Sequence, residues 1–396
     1  MSKNEICIVA AKRTPMGAFQ GSLSSVTTVD LGAHAIRSVL EDIPSPHPTI
    51  KEVIMGCVLP AGLGQAPARQ AAITAKLSSS VGATTINKVC GSGMKAIMLA
   101  HDQIKSDEEA TIIAGGMESM SNAPYLLLNA RKGYRAGHGK IFDHMMYDGL
   151  EDAYKKGCSM GVLGEIAVEQ CQLTRQQQDE FAALSAKRAL QAINEGWFQP
   201  EISPLSINVG KEVKVISEDE PPTRVKFDKI PLLKPAFKEG GTITAANSSP
   251  LTDGAAAVVL MTTLKAKEHN LSPRALIRGH VTYSHEPDLF TLAPINAIKL
   301  LLNKVNWKIE DVDLFEINEA FAFVPMAVIQ ELKLDINKVN IHGGACALGH
   351  PIGASGTRII VTLLHALERY NLKRGIAALC IGGGEATAIA IERQEQ

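Results

Sequence analysis

Two cysteines and one histidine stand in three glycine-rich turns spread along the chain. Cys90 lies in Asn87-Lys88-Val89-Cys90-Gly91-Ser92-Gly93, His350 in Gly343-Gly344-Ala345-Cys346-Ala347-Leu348-Gly349-His350-Pro351, and Cys380 in Leu379-Cys380-Ile381-Gly382-Gly383-Gly384. Each turn follows an apolar or β-branched run that reads as a strand. Glycine lets a backbone approach a ligand closely and aim its N–H groups at it. A thiol, an imidazole and a second thiol on such turns fit a nucleophile, its base and a further acid/base around one ligand.

Each residue also has a plainer reading. Cys90 falls between the Ile86/Val89 strand and a helix expected over Met94 to Ile104. The helix dipole there favours a thiolate, whereas a buried inert cysteine is the common alternative. His350 is followed by Pro351-Ile352-Gly353-Ala354-Ser355-Gly356. It can deprotonate a thiol and, once charged, hydrogen-bond an oxyanion, or it is a structural histidine. Cys380 is a packing residue or, at the position symmetric to Cys90, a second acid/base. Asn318, in Asn318-Glu319-Ala320-Phe321-Ala322, holds a water or carbonyl, or caps a helix. Neither Gly62-Leu63-Gly64-Gln65 nor the triple glycine fits a nucleotide fingerprint, and no P-loop is present.

The elements that must position these residues recur in the same order twice. In the first half, helix Asp30 to Leu40, strand Val53 to Val58, strand-turn-helix Thr85 to Ile104 and strand Thr111 to Gly116 follow one another. In the second half, helix Pro294 to Val305 and strand Asp313 to Ile317 precede Val339-Asn340-Ile341-His342 with helix Ala354 to Tyr370. Strand Ile376 to Ile381 closes the series. Alternation of this kind predicts mixed α/β layers, divided as residues 1–270 and 271–396. Residues 121–249 differ, with more charge and prolines at Pro221, Pro222, Pro231 and Pro235. Within them Thr174-Arg175-Gln176-Gln177 predicts a capping box, and Phe181, Leu184, Ala189 and Ile193 one apolar helix face up to Gly196. This stretch reads as a lid domain inserted into the first repeat, or as a structural excursion.

Composition narrows the function classes. The chain has 396 residues, 45% hydrophobic and 20% charged, with 40 Lys+Arg against 41 Asp+Glu. Balanced charge and 5% aromatics argue against nucleic acid as partner. No apolar run approaches the roughly 20 residues that span a bilayer. The start, Met1-Ser2-Lys3-Asn4-Glu5, reads as no signal peptide, and Arg393-Gln394-Glu395-Gln396 as no retention or peroxisomal tripeptide. Seven cysteines, an odd number without a C-x-x-C, favour reduced thiols in a cytoplasmic compartment over disulfides or a zinc cluster.

Five segments together carry a family resemblance: Arg13-Thr14-Pro15-Met16-Gly17, Asn87 to Met94, Asn318 to Ala322, Gly343 to Gly356, and Cys380 to Gly384. Over essentially its full length the chain resembles the thiolases, acyl-CoA C-acetyltransferases. The resemblance implies a five-layered αβαβα fold, two similar halves with the lid over the site. It implies that Cys90 is acylated by a thioester, that His350 takes its proton, and that Cys380 moves the α-proton of acetyl-CoA. Asn318 would hold a water that forms one oxyanion hole with His350; the backbone N–H groups of Cys90 and Gly382 would form the other. Ser249 and Met160 match coenzyme A contacts. Metal and redox cofactors are not required, and a homo-oligomer, dimer or tetramer, is expected.

Ser159, Phe290 and Glu385 depart from the family pattern and bear on acyl chain length. The activity implied is reversible condensation of two acetyl-CoA to acetoacetyl-CoA and CoA. The alternative is a longer-chain 3-ketoacyl-CoA thiolase of fatty-acid β-oxidation. A decarboxylating synthase of the same fold lacks the second cysteine, so Cys380 argues against it. Retention of the reacting residues argues against a non-catalytic acyl-CoA-binding protein.

Overall fold

The computed structural model describes residues 5–394. Met1–Asn4 and Glu395–Gln396, on which part of the reading of the chain ends rests, lie outside them.

Nine strands of four residues or more form the central sheet system. They are β1 (Ile6–Arg13), β2 (Ile50–Gly56), β3 (Gly82–Ile86), β4 (Thr111–Ser119), β5 (Thr252–Thr262), β6 (Ala275–Ser284), β7 (Leu314–Ile317), β8 (Arg374–Ile381) and β9 (Glu385–Glu392). The first half orders as β3-β2-β4-β5-β1 and the second as β7-β8-β9-β6. In both, the early pairs (β3-β2-β4, and β7-β8) are parallel and the later ones antiparallel. The half-sheets meet only through Cys7 opposite Leu276 and Ile8 opposite Ala275. The duplication expected from the sequence is thus a duplication of topology.

The second half lacks the counterpart of β3. Val339 to His342 was expected as a strand, but only a single parallel bridge joins Val339 to Phe315. Asn340 explains it. Its backbone is left-handed (φ 47°), which breaks a strand. Its side-chain amide instead pairs with both backbone groups of Ile317, at 2.8 Å each.

The helices separate into layers by burial. Helix α1 (Thr28–Glu41), capped by the Thr27 hydroxyl, packs on β4 and β5. Helix α5 (Ala293–Val305) packs on β6, β8 and β9 at the opposite side. Between the half-sheets lie α2 (Ser92–Ser106) and α6 (Ser355–Arg369), in mutual contact. Every residue of α6 from Ser355 to Leu367 is buried, as a helix between two sheets must be. The result is α/β/α/β/α.

Glycines let the middle layer close. A Cβ on Gly116 would stand 2.0 Å from the Gly353 carbonyl oxygen, so no side chain fits where β4 meets the turn before α6. Glu118, further along β4, accepts the Gly353 and Val58 N–H groups at 2.9 Å and the Leu59 N–H at 3.2 Å. Burial pushes its carboxyl up to about 7.

The segment between Ser119 and Thr252 adds no strand to the central sheet. Its helices α3 (Met160–Cys171) and α4 (Arg175–Asn194) include the predicted capping box at Thr174 and Gln177. Of the expected apolar face, Phe181 and Ala189 are buried and Leu184 and Ile193 half-buried. Arg13 anchors this segment to β1. Its buried guanidinium binds Asp219 bidentately at 2.7 and 2.8 Å and Glu201 at 2.6 Å.

Candidate active site

Cys90 sits on a constrained elbow between β3 and α2. The preceding Val89 is left-handed (φ 45°), an unfavourable conformation for a β-branched residue. Local hydrogen bonds hold it there. The Asn87 side chain accepts the Val89 N–H at 2.9 Å, Ser92 Oγ accepts the Lys88 N–H at 2.8 Å, and the Ser92 hydroxyl donates to the Val89 carbonyl at 2.7 Å. A Cβ on Gly91 would meet the Ile381 side chain at 2.3 Å, so the elbow presses directly against the end of β8. Helix α2 begins at Ser92, two residues earlier than expected.

That contact unites two of the predicted turns. The backbone N–H groups of Gly382 and of Cys90 itself lie close enough to the Cys90 sulfur to favour its thiolate. Cys380 is buried on β8 and feels the charge of a Cys90 thiolate. Both thiols are raised by burial, Cys90 to about 11. Burial works against the thiolate that the helix dipole favours. Loss of solvent outweighs the N–H groups facing the sulfur, and a base must remove the proton during reaction.

His350 and Asn318 come together, and Asn318 joins them to β8, the strand that carries Cys380. Asn318 Nδ2 lies 3.5 Å from His350 Nε2. The Asn318 N–H donates to the Ala378 carbonyl at 2.9 Å, two residues from Cys380 on β8. The His350 N–H donates to the Pro250 carbonyl at 3.2 Å, and the Ser249 N–H to the Ala320 carbonyl at 3.0 Å. Ser249 and Pro250 thereby tie the His350 turn to the Asn318 turn. The Asn318 side-chain oxygen has no protein partner. Burial pushes His350 down to about 3, with Arg358 adding repulsion, so the imidazole rests neutral and can act as base.

Met160 opens α3, and its sulfur would stand 3.1 Å from a Cβ on Gly382. Ser159 precedes it as N-cap without a side-chain capping bond. Phe290 is buried in the same apolar cluster as Cys380, with Met160 packed against it. Glu385 pairs with Lys88 of the nucleophile elbow and accepts the Ser284 hydroxyl at 3.0 Å. All seven cysteines are free of disulfides, and no helix among the described residues is long and apolar enough to cross a membrane.

Pro250 also lines a cavity of about 600 Å³ with Leu251, Ala246 and Cys346, where Arg224, Lys226 and Lys229 supply positive charge. Sequence reasoning missed these three. The signal was present as a short basic run after Pro221-Pro222. It also missed Ser355, whose Oγ lies 2.5 Å from His350 Nδ1, although the residue lies in the glycine-rich run that follows the histidine.

Comparison with known proteins agrees with this architecture. A family profile described as "Thiolase, N-terminal domain" matches residues 6–263, and one described as "Thiolase, C-terminal domain" matches residues 271–393. The chain is 45% identical over 391 residues to an acetyl-CoA acetyltransferase of Pseudomonas aeruginosa, covering 98% of this chain and 99% of the relative. The crystal structure of the Bacillus anthracis acetyl-CoA acetyltransferase is 42% identical, with a TM-score of 0.95 over 99% of each chain. That of Acat5 thiolase from Ascaris suum in complex with coenzyme A is 41% identical, with a TM-score of 0.92 over 98% of this chain and 100% of that one. The chain belongs to the thiolase family.

Proposed function

We propose that this protein is an acetyl-CoA C-acetyltransferase that joins two acetyl-CoA into acetoacetyl-CoA and CoA, and runs the reverse thiolysis, through an acyl-enzyme on Cys90. One observation carries the reading: the Cys90 elbow packs against the end of β8, where a Cβ on Gly91 would meet Ile381 at 2.3 Å, and this brings the backbone N–H groups of Gly382 and Cys90 close to the sulfur. Donors there lie where the oxygen of a thioester carbonyl attacked by that sulfur gains charge. Preorganised donors in a water-poor site stabilise such an oxyanion strongly.

In the first half-reaction the Cys90 sulfur attacks the acetyl-CoA carbonyl while His350 Nε2 takes the thiol proton. The tetrahedral intermediate collapses, CoA leaves with that proton, and Cys90 carries the acetyl group. In the second, Cys380, its own proton passed to His350, removes an α-proton from another acetyl-CoA. Asn318, a bound water and the His350 so protonated hold the enolate oxygen. The enolate carbon attacks the acetyl-Cys90 carbonyl, the Cys90 sulfur leaves, and His350 returns the proton to that sulfur. Splitting the reaction this way gives ping-pong kinetics.

Coenzyme A lies between the segment carrying Met160 and Ser249, which acts as a lid, and the cavity at Pro250. Arg224, Lys226 and Lys229 face its phosphates, as charge complementarity favours. The Ascaris suum relative is in complex with coenzyme A, which supports coenzyme A as the ligand. The protein acts in a cytoplasmic compartment as a homo-oligomer, a dimer or tetramer. In support, Tyr125, Leu127, Leu128 and Ile141 are exposed within one segment, and β3 is an edge strand. Light scattering coupled to size exclusion tests the assembly.

Intact mass after incubation with acetyl-CoA tests the chemistry. Wild type gains one acetyl group, which free CoA removes, and Cys90→Ala gains none. Wild type that stays unmodified, or Cys90→Ala that is acetylated equally, refutes the assignment.

A further inference from the structure

A second cluster of chemically able side chains lies outside the reaction site. His101 and Asp102 sit near the end of α2, about 15 Å along the helix from Ser92 at 1.5 Å per residue. His280 faces them from β6. His101 Nδ1 lies 3.1 Å from Asp102 Oδ1, His280 Nε2 lies 2.9 Å from the same oxygen, and the two ring nitrogens are 3.2 Å apart. We propose that His101, Asp102 and His280 form a binding site for a divalent transition-metal ion of the zinc, cobalt or nickel kind.

The geometry suits an ion. Metal–ligand bonds of about 2.0–2.2 Å place adjacent ligands about 3.0–3.4 Å apart. The observed triangle needs only a few tenths of an ångström of expansion to match one face of a coordination shell. The imidazoles stand edge to face, at 89° with centroids 4.9 Å apart, and bring these two nitrogens to the same side of the cluster as the carboxylate oxygen. Both rings are buried and thus fixed, while Asp102 is exposed. Ions and completing waters therefore reach the site from solvent.

The donor set selects the ion. Two imidazoles and one carboxylate favour zinc, cobalt, nickel or copper over magnesium and calcium, which demand oxygen. Lys95, Lys105 and Lys304 lie close enough to repel positive charge here. The ion is accordingly held less tightly than in a cysteine-rich structural site. Once bound, it would pin the helix that follows the nucleophile elbow to the sheet of the C-terminal half. The competing arrangement needs no ion: the Asp102 carboxylate accepts both ring N–H groups.

Titration of the full-length protein with Co(II), followed by visible absorption, and with Zn(II), followed by calorimetry, separates the two. The proposal expects about one ion per chain, ligand-field bands without the near-ultraviolet charge-transfer band of a thiolate ligand, and a zinc-dependent rise in Tm. Asp102→Asn, at an exposed position, should weaken binding at least about 10-fold, the lower end for altered metal sites. His280→Gln should do the same. Thiolysis activity in both variants reports that the fold is intact. Absence of binding, binding unchanged in Asp102→Asn, or a thiolate charge-transfer band would each overturn the proposal, the last two by placing the ion elsewhere, the band at a cysteine.

Discussion

His350 Nδ1 lies 2.5 Å from the Ser355 hydroxyl oxygen, and that hydroxyl donates in turn to the Pro351 carbonyl at 3.0 Å. Since the hydroxyl proton is committed to Pro351, the network assigns the ring proton to Nδ1. Nε2 is left with its lone pair, facing the Asn318 amide. Ser355 thus sets which nitrogen can accept a proton, and it supports the imidazolium once formed.

Ser355→Ala should therefore slow acylation of Cys90 with little effect on KM. A hydrogen bond to a charged group is worth about 1.5–3 kcal/mol, or roughly 10- to 100-fold in rate. Pre-steady-state acylation measured across pH tests this. A variant acylated at the wild-type rate would remove Ser355 from the mechanism.

The two thiols should separate by half-reaction. Cys380→Ser keeps acetylation of Cys90, because sulfur 380 takes no part in that step, but loses condensation about 10²- to 10⁴-fold, the usual share of a general acid/base. His350→Ala should impair both steps. Intact mass reports the first and acetoacetyl-CoA absorbance the second. Equal loss of both in Cys380→Ser would contradict the division of labour.

The turns that carry the candidate reacting groups were legible because their signal is local. Cys90, His350 and Cys380 each sit among glycines whose need is set within a few residues. What stayed hidden depends on distant partners. Nothing near Asn340 reveals that its amide will replace a strand by pairing with Ile317, 23 residues away. The buried Arg13–Asp219 pair joins residues 206 apart. Helix position suggested an acidic Cys90, but its acidity follows from burial by Ile381 and neighbouring layers, which only the fold supplies.

Phe290 should restrict the acyl chain. It is 2% exposed and shares a packed cluster with Cys380, Met160 and Leu163. Phe290→Leu opens space there at a stability cost of about 1–3 kcal/mol. The ratio of kcat/KM for longer 3-oxoacyl thioesters to that for acetoacetyl-CoA should rise about 10-fold, the lower end for a methylene-sized change. An unchanged ratio would mean that Phe290 serves packing alone.

His342 offers a test of stability against pH. Its ring is 1% exposed, both nitrogens lack partners, and it packs against Trp197, Phe198 and Tyr370. Burial, then Arg369, lowers it from 6.5 to about 4. The unfolded chain takes up this proton below about pH 6.5, whereas the folded protein does so only near 4, so stability falls as pH drops through that window. The share at stake is up to roughly 3 kcal/mol. His101 and His350 act in the same direction. Glu118 and Glu316, raised to about 7 and 8, act oppositely, losing stability as pH rises from 4.5 toward those values. His342→Phe keeps a ring in place and deletes only the first effect at this position. Urea unfolding should show the variant gaining more over wild type at pH 5 than at pH 8. An equal gain at both would mean that the histidine's proton carries no weight, and that packing alone decides this corner of the fold.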